Sequence, residues 1–251
     1  MKTEADSKKV SIVLAAFNAL EYSKVCLKSI LEYTPLPYEL VLIDNGSSDG
    51  TKEYFETLPG ARIIRNEKNL GFARGYNQGI KASRGKYIVL INNDCIVSEN
   101  WLSNMLSCAD SDPAIGMVGP RGNHINGVQR MDQEFSDLQE FHDYTMFFNK
   151  PDPAKWFEVN KLVGFCILVK REVVKKIGYF DESFGIGTHE DIDYTMRAKN
   201  AGFKLFCAGD VFLYHFSHRT FIANNIDLIR IYKYNKALFQ KKWSIYKAKQ
   251  S

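Results

Sequence analysis

No two cysteines in this chain are spaced as a metal-binding or redox pair. The five, Cys26, Cys95, Cys108, Cys166 and Cys207, are odd in number and widely separated. That argues against a disulfide framework or a structural zinc site and fits buried thiols in a reducing cytosol. Long apolar runs are also missing: none among the 251 residues approaches the roughly 20 that a membrane span needs. Residues 1–9 are polar and charged, so no signal peptide is read there, and the expected location is cytoplasmic. Strong charge of one sign is absent as well. The 33 basic and 29 acidic side chains leave a net charge of +4, too mild for a nucleic-acid-binding face. Internal repeats, low-complexity tracts and linkers are lacking, which leaves a single domain. Two phosphate-loop signatures are missing too. There is no Gly-x-Gly following a strand, and the first apolar run passes into Ala15-Ala-Phe-Asn-Ala19 rather than a Gly/Lys-rich loop. A dinucleotide fingerprint and a nucleotidyltransferase are thereby disfavoured.

What remains is ordinary globular composition, 45% hydrophobic and 25% charged. Apolar, β-branched runs at residues 10–15, 39–43, 61–65 and 87–91 predict strands, and helical spacing follows at 21–33, near Thr51 and at 72–82. Strands alternating with helices predict an α/β fold, a mainly parallel sheet flanked by helices. In such sheets ligands bind beyond the carboxyl ends of the strands. The polar turns at residues 44–50 and 92–94 both fall there. The second half is less regular. Helices are expected at 101–108 and 191–201 and strand character at 115–119, 161–169, 204–207 and 211–215. A stretch from 132 to 157 mixes acidic and aromatic residues, and a basic amphipathic helix is expected at 225–249.

Four clusters carry chemistry. Asp94 of Asn92-Asn93-Asp94 follows a buried strand; one carboxylate flanked by amides can anchor a hard divalent cation whose other ligands are substrate phosphates. The alternative is an Asx turn capping a helix that starts near Glu99. In Thr188-His-Glu-Asp-Ile-Asp193, three carboxylates open a helix, either as dipole-favoured caps or with Glu190 or Asp191 aimed into a cleft as general base. Asp193 points to a different helix face. His215, after a short strand, can join a carboxylate on a metal, while His218 and Arg219 can bind phosphate oxygens. Finally, Gly71, Gly75 and Gly79 put small residues on one helix face for close packing on the sheet, and the helix start near Arg74 can receive an anion.

These segments, in order, resemble bacterial family 2 glycosyltransferases of the GT-A, Rossmann-like fold, the rhamnosyltransferase-like branch included. The resemblance is carried by Ser11-Ile-Val-Leu-Ala-Ala-Phe-Asn18, Val41-Leu-Ile-Asp-Asn-Gly-Ser-Ser-Asp-Gly-Thr51, Asn69-Leu-Gly-Phe-Ala-Arg-Gly-Tyr-Asn77 and Leu90-Ile-Asn-Asn-Asp94. Val163-Gly-Phe165, Gly178-Tyr-Phe-Asp-Glu182, Glu190-Asp-Ile-Asp193 and Tyr214-His215 continue it. It implies a glycosyltransferase domain (10–221) with a nucleotide-binding half (10–95) and an acceptor and catalytic half (96–221); outside it lie the polar leader (1–9) and the basic helical segment (222–251). It also implies a UDP- or dTDP-type nucleotide diphosphate-sugar donor. The donor would be held by Ala15, Ala16, Phe17, Asn18, Asp44, Arg74, Asn77, Asn92, Asn93, Asp94, His218 and Arg219. Mn or Mg would sit on Asp94 with His215, and Asp191, beside Glu190, would be the base of an inverting reaction. Gly164, Phe165 and Trp156 would wall a site for a glycan, lipid-linked or protein acceptor, in the assembly of cell-surface polysaccharide.

Two departures stand out. Asn92 occupies the position of a first carboxylate in the metal motif, and Ala15-Ala16 replaces the usual Pro-Thr. The first of these supports an alternative, a catalytically silent module that binds sugar nucleotides or glycans. For the basic tail, packing on its own domain, a homodimer interface and peripheral contact with anionic lipid all stay open.

Overall fold

The apolar runs become a sheet covered on both faces. A computed structural model describes residues 10–248, with side chains as far as Ile245; the expected polar leader (1–9) and the last residues of the expected tail helix lie outside the described residues. The strands are β1 (Val10–Ala16), β2 (Tyr38–Asp44), β3 (Arg62–Arg65), β4 (Tyr87–Asn92), β5 (Cys95–Ile96), β6 (Ile115–Gly122), β7 (Phe157–Val159), β8 (Cys166–Lys170) and β9 (Lys204–His215). Their order is β3-β2-β1-β4-β8-β6-β9-β5, with β7 pairing β9 off that path. The block β3-β2-β1-β4 is parallel throughout, as alternation of strand and helix requires. β6 and β9 are also parallel, while β8 runs antiparallel between β4 and β6.

The helices are α1 (Leu20–Tyr33), α2 (Thr51–Glu56), α3 (Phe72–Ala82), α4 (Trp101–Asp110), α5 (Leu138–Phe148), α6 (Arg171–Ile177), α7 (Glu190–Asn200), α8 (Arg219–Ala223) and α9 (Leu228–Ala248). Alternate residues of β1 serve two cores. Ile12 and Leu14 pack with Leu27, Ile30, Trp101 and Met105, whereas Val13 packs with Ile80, Tyr76 and Tyr194. Strands buried on both faces favour apolar residues at nearly every position; the exception in β1, buried Ser11, donates to Glu39 and accepts the Gly85 N–H. Each such buried aliphatic side chain contributes roughly 1.5–3 kcal/mol.

Gly79 shows how close the upper layer comes: a Cβ there would lie 2.2 Å from Val13 Cγ1. Gly75 faces Ala15 and Asn45 on the same side, so the expected packing stripe is present at these two positions. Gly71 does something else. Its φ is +87° and the space where a Cβ would stand is taken by the Gly185 carbonyl at 2.1 Å, so it locks α3 to the loop before α7.

The second half differs from expectation in four places, each for a tertiary reason. The strands expected at 204–207 and 211–215 are one strand, because Pro120 pairs with Ala208 and Arg121 with Phe212, leaving residues 209–211 as a bulge. Strand structure expected from residue 161 begins at Cys166, since 160–165 forms a loop into the cleft. Of the aromatics in residues 132–157, Phe135, Phe141, Tyr144 and Phe148 surround Phe212 as core, while Phe147 stays exposed. The tail helix, expected from residue 225, begins at Leu228 as α9, behind a separate short helix α8 that the sequence did not suggest, and α9 packs on its own domain. Asn235 donates to the Phe184 and Gly187 carbonyls, and Trp243 Nε1 donates to Asp193 Oδ1 at 3.1 Å.

All five cysteines are buried and unpaired. Burial pushes the Cys108 thiol up to about 12.

Candidate active site

In-register pairing puts Ala15 beside Asn92 and Ala16 beside Asp44, so the turns after β1, β2 and β4 meet at one sheet edge. The main cleft of the described residues opens there. Of the expected residues, Ala15, Phe17, Asn92, Asn93, Asp94, Gly164, Phe165, Glu190, Asp191, His215 and His218 line it.

One wall is built on β4 and the end of β9. Antiparallel pairing of Cys95 with His215 sets the His215 Nε2 3.2 Å from Asp94 Oδ1. Both His215 ring nitrogens are buried, and beyond the Asp94 contact neither has a hydrogen-bond partner among the described residues. The Asp94 Oδ2 accepts the Arg219 backbone N–H at 3.3 Å. Burial alone would raise the Asp94 carboxyl, but the His215 ring and the Arg219 N–H hold it below the usual range. Asp94 therefore does not cap α4, which begins at Trp101. Cys95 completes a cluster of possible ligands, yet burial pushes its thiol well up and its Sγ donates to the Phe165 carbonyl. A protonated thiol is no ligand. The remaining pair, one carboxylate oxygen and one unpartnered imidazole nitrogen, suits Mn or Mg with further oxygens supplied by a diphosphate. Asn92 turns its amide oxygen to the Tyr76 hydroxyl at 3.3 Å.

The opposite wall is the start of α7. Thr188 and His189 hold φ values of +76° and +70°, a left-handed conformation that non-glycine residues adopt at a cost. Asn235 braces this turn, and the His189 ring packs on Tyr232 at 4.9 Å. Asp191 Oδ2 accepts the Gly164 N–H and its Oδ1 the Ile192 N–H, both at 2.8 Å. A Cβ on residue 164 would stand 2.8 Å from Asp191 Cβ, so only glycine permits this contact. Burial raises the Asp191 carboxyl, with the two N–H bonds opposing. Glu190 is 4% exposed, its Oε2 has no hydrogen-bond partner among the described residues, and burial, then the Asp191 charge, pushes it well above the ordinary value of 4.5. Asp193 takes no part: it pairs with Arg197 and Lys242 on the other face.

The raised Glu190 carboxyl has a consequence for stability. Its folded pKa exceeds its unfolded one, so its stabilisation is complete below about pH 4.5 and is lost as pH rises through the folded value. Glu190→Gln, which cannot ionise, is therefore expected to gain melting temperature relative to the parent as pH is raised from 4 to 8. A difference independent of pH would show that Glu190 is ionised in the fold.

Several expected contacts are made elsewhere. Arg74 Nε pairs with Glu182 at 2.9 Å, and at the start of α3 the N–H groups of Gly71 and Phe72 are taken by Asn69 Oδ1 and the Ile186 carbonyl. Asn77 binds the Phe180 backbone and Glu182. Trp156 Nε1 donates to buried Asp210 at 2.7 Å, which fixes it on β9 and away from the cleft. Asp44 is buried and accepts the Ser47 N–H. Ala16 lies in the core. Asn18 is tied to Ser47, Ser48 and Asn224. Arg219 approaches through its backbone, its guanidinium lying over the Tyr22 ring. Lining residues that the sequence did not mark include Asn45, Tyr76, Thr188, Phe221 and Ile226. Asn45, beside Asp44, holds Asn69, the Gly71 carbonyl and the Leu70 N–H, and only its place in a strand-end turn could have signalled it.

The family model described as glycosyl transferase family 2 matches residues 11–178. The chain is 28% identical to glycosyltransferase AglE of Haloferax volcanii over 80% of this chain and 65% of that one. Among solved structures it resembles GalNAc-T7 with UDP, GalNAc and Mn2+, with a TM-score of 0.67 and 20% identity over 84% of this chain and 44% of that chain. It also resembles the mannosyltransferase PcManGT from Pyrobaculum calidifontis with GDP-Man and Mn2+, with a TM-score of 0.60 and 19% identity over 82% and 56%. The chain covers less than two thirds of the length of each of these three proteins. At such identities the solved structures establish the fold, an α/β domain with a mostly parallel central sheet.

Proposed function

Since the chain belongs to glycosyl transferase family 2, we propose that it moves a sugar from a nucleotide diphosphate-sugar to a hydroxyl acceptor with inversion. The observation that carries this reading is the pairing, across one cleft, of Asp94 and His215 with Asp191. Residues 10–95 hold the donor and residues 96–221 the acceptor, a glycan, lipid-linked or protein hydroxyl in polysaccharide assembly at the cytoplasmic face.

Asp94 and His215 would hold a divalent cation, Mn or Mg, which would supply Lewis-acid stabilisation to a departing diphosphate. Asn93 steadies that wall by donating to Ser23 Oγ at 2.9 Å. Asp191 takes the proton of the acceptor hydroxyl. Its two backbone N–H bonds fix the carboxylate, and its raised pKa brings it nearer the working pH, where a base is most effective. Burial and the Asp191 charge raise the Glu190 carboxyl, which disfavours it as a second, nucleophilic carboxylate. A single displacement follows, and single displacement inverts the anomeric centre.

A thermal-shift screen of UDP-, dTDP- and GDP-sugars with Mn, with Mg and with chelator tests the reading. A donor at a hundred times its Kd is expected to stabilise the fold by about 2.7 kcal/mol, and only with metal. If no nucleotide sugar stabilises the protein with either ion, the reading fails. Asn92, an amide where a carboxylate would bind metal more tightly, favours a second reading, a silent sugar-nucleotide-binding module. Metal-dependent stabilisation with no turnover across a panel of acceptors would select it.

A further inference from the structure

α9 carries Arg230, Lys233, Lys236, Lys241, Lys242 and Lys247 with no carboxylate, while the whole chain is only +4. The rest of the molecule is therefore slightly negative, and its positive charge is concentrated on one helix. The inward face of that helix is accounted for. Asn235 and Trp243 are buried, and Lys242 pairs with Asp181 and Asp193. The outward face is not. Arg230, Lys233 and Lys241 are exposed and pair with no carboxylate among the described residues. Flanking them on α9 are Ile229 on one side and Tyr234 with Ile245 on the other; Ile229 and Tyr234 are 69% and 68% exposed, and Ile222 of α8 is exposed at the near end. No helix among the described residues is long and apolar enough to cross a membrane.

We propose that the outward face of α8 and α9 docks on the surface of an anionic lipid bilayer, with α9 lying in the plane of the headgroups. Exposed isoleucines on a helix cost free energy in water and recover it in the headgroup–acyl boundary. Tyrosine favours that interface, and each lysine or arginine near it gains from anionic headgroups. Charge decides against a second copy as occupant. A two-fold contact would set the same cations against one another. A nucleic acid would satisfy the cations but leave Ile222, Ile229 and Ile245 without an apolar partner. Docking also has a geometric consequence: Phe221, Ile226 and Leu228, which lead into this face, line the cleft, so the cleft rim comes to the membrane surface. The binding itself stands independently of the transferase reading.

Vesicle flotation of the full chain tests the proposal, with phosphatidylcholine alone and with one third phosphatidylglycerol. The chain is expected to float with the anionic vesicles, to stay in solution with the neutral ones, and to be released by high salt. Arg230→Glu with Lys233→Glu and Lys241→Glu is expected to lower partitioning at least tenfold. Ile229→Ser with Tyr234→Ser, which leaves the charge unchanged, is expected to lower it severalfold. All five substitutions are on exposed positions, and near-ultraviolet circular dichroism confirms that both variants remain folded. Absence of flotation, equal flotation with neutral vesicles, or parental partitioning by both variants would overturn the proposal. So would a concentration-dependent dimer, or retention on nucleic acid, in a chain that does not float.

Discussion

Asp191→Asn is expected to keep the fold and metal-dependent donor binding and to lose transfer by about a thousandfold, within the range of roughly 10²–10⁴ that a positioned general base supplies. Asparagine matches the shape of aspartate but cannot take the acceptor proton. The substitution is not silent locally. Both carboxylate oxygens accept backbone N–H groups, from Gly164 and Ile192, and an amide can accept only one of them while its NH₂ opposes the other. Removing a buried charge acts in the opposite direction, so the melting temperature should move by only a few degrees. Turnover within tenfold of the parent would remove Asp191 from the reaction. The pH dependence gives a second check. Only the ionised carboxylate accepts a proton, so kcat/KM should rise with pH through the Asp191 pKa. Burial lifts that pKa above the ordinary 3.8, and a rising limb at an unshifted carboxylate value would contradict the assignment.

Asp94→Asn should separate the two walls of the cleft. This variant is expected to lose the metal-dependent part of donor stabilisation, and its transfer should fall by about two to three orders of magnitude. A Lewis acid supplies several kcal/mol, and about 1.4 kcal/mol corresponds to each tenfold in rate. The Arg219 N–H can still donate to the amide oxygen, so the loop after β9 should stay in place. The two variants thus differ in their binding readout. Asp191→Asn keeps the Mn-dependent thermal shift and Asp94→Asn loses it. If Asp94→Asn shows the parental shift with Mn and donor, Asp94 is not the anchor, and the His215 ring nitrogens need another explanation.

The parallel half of the fold was legible because each of its strands satisfies a local rule. Residues buried on both faces must be apolar at every position, and the turns that close them need Asp, Asn, Gly and Ser. Residues 10–15, 39–43 and 87–91 obey the first rule except at Ser11 and Glu39, which bond each other, and the turns after 39–43 and 87–91 obey the second, placing Asp44 and Asn92–Asp94 at the same edge. The bulged strand β9 obeys neither. Its Ala208-Gly209-Asp210 reads as a turn, yet Asp210 is buried because Trp156 Nε1 and the Asp152 N–H both bond its carboxylate. A Cβ on Gly209 would lie 2.1 Å from the Lys155 carbonyl. Contacts between segments so far apart leave no periodicity to read.

The same division runs through the site. The sequence by itself determined which groups stand at strand and helix ends: Asp94 after β4, Glu190 and Asp191 at the start of α7, His215 at the end of β9. Local pattern sets these positions. Only the tertiary structure decided what each group faces. It took Arg74 and Asn77 out of the cleft by offering them Glu182, and it drew Trp156 to Asp210. It brought His215 to Asp94 through the pairing of β5 with β9, and it set Asp191 on the Gly164 N–H where a side chain on residue 164 would have blocked it. A polar side chain is directed by the nearest partner of opposite need, and in a folded chain that partner usually comes from a distant segment.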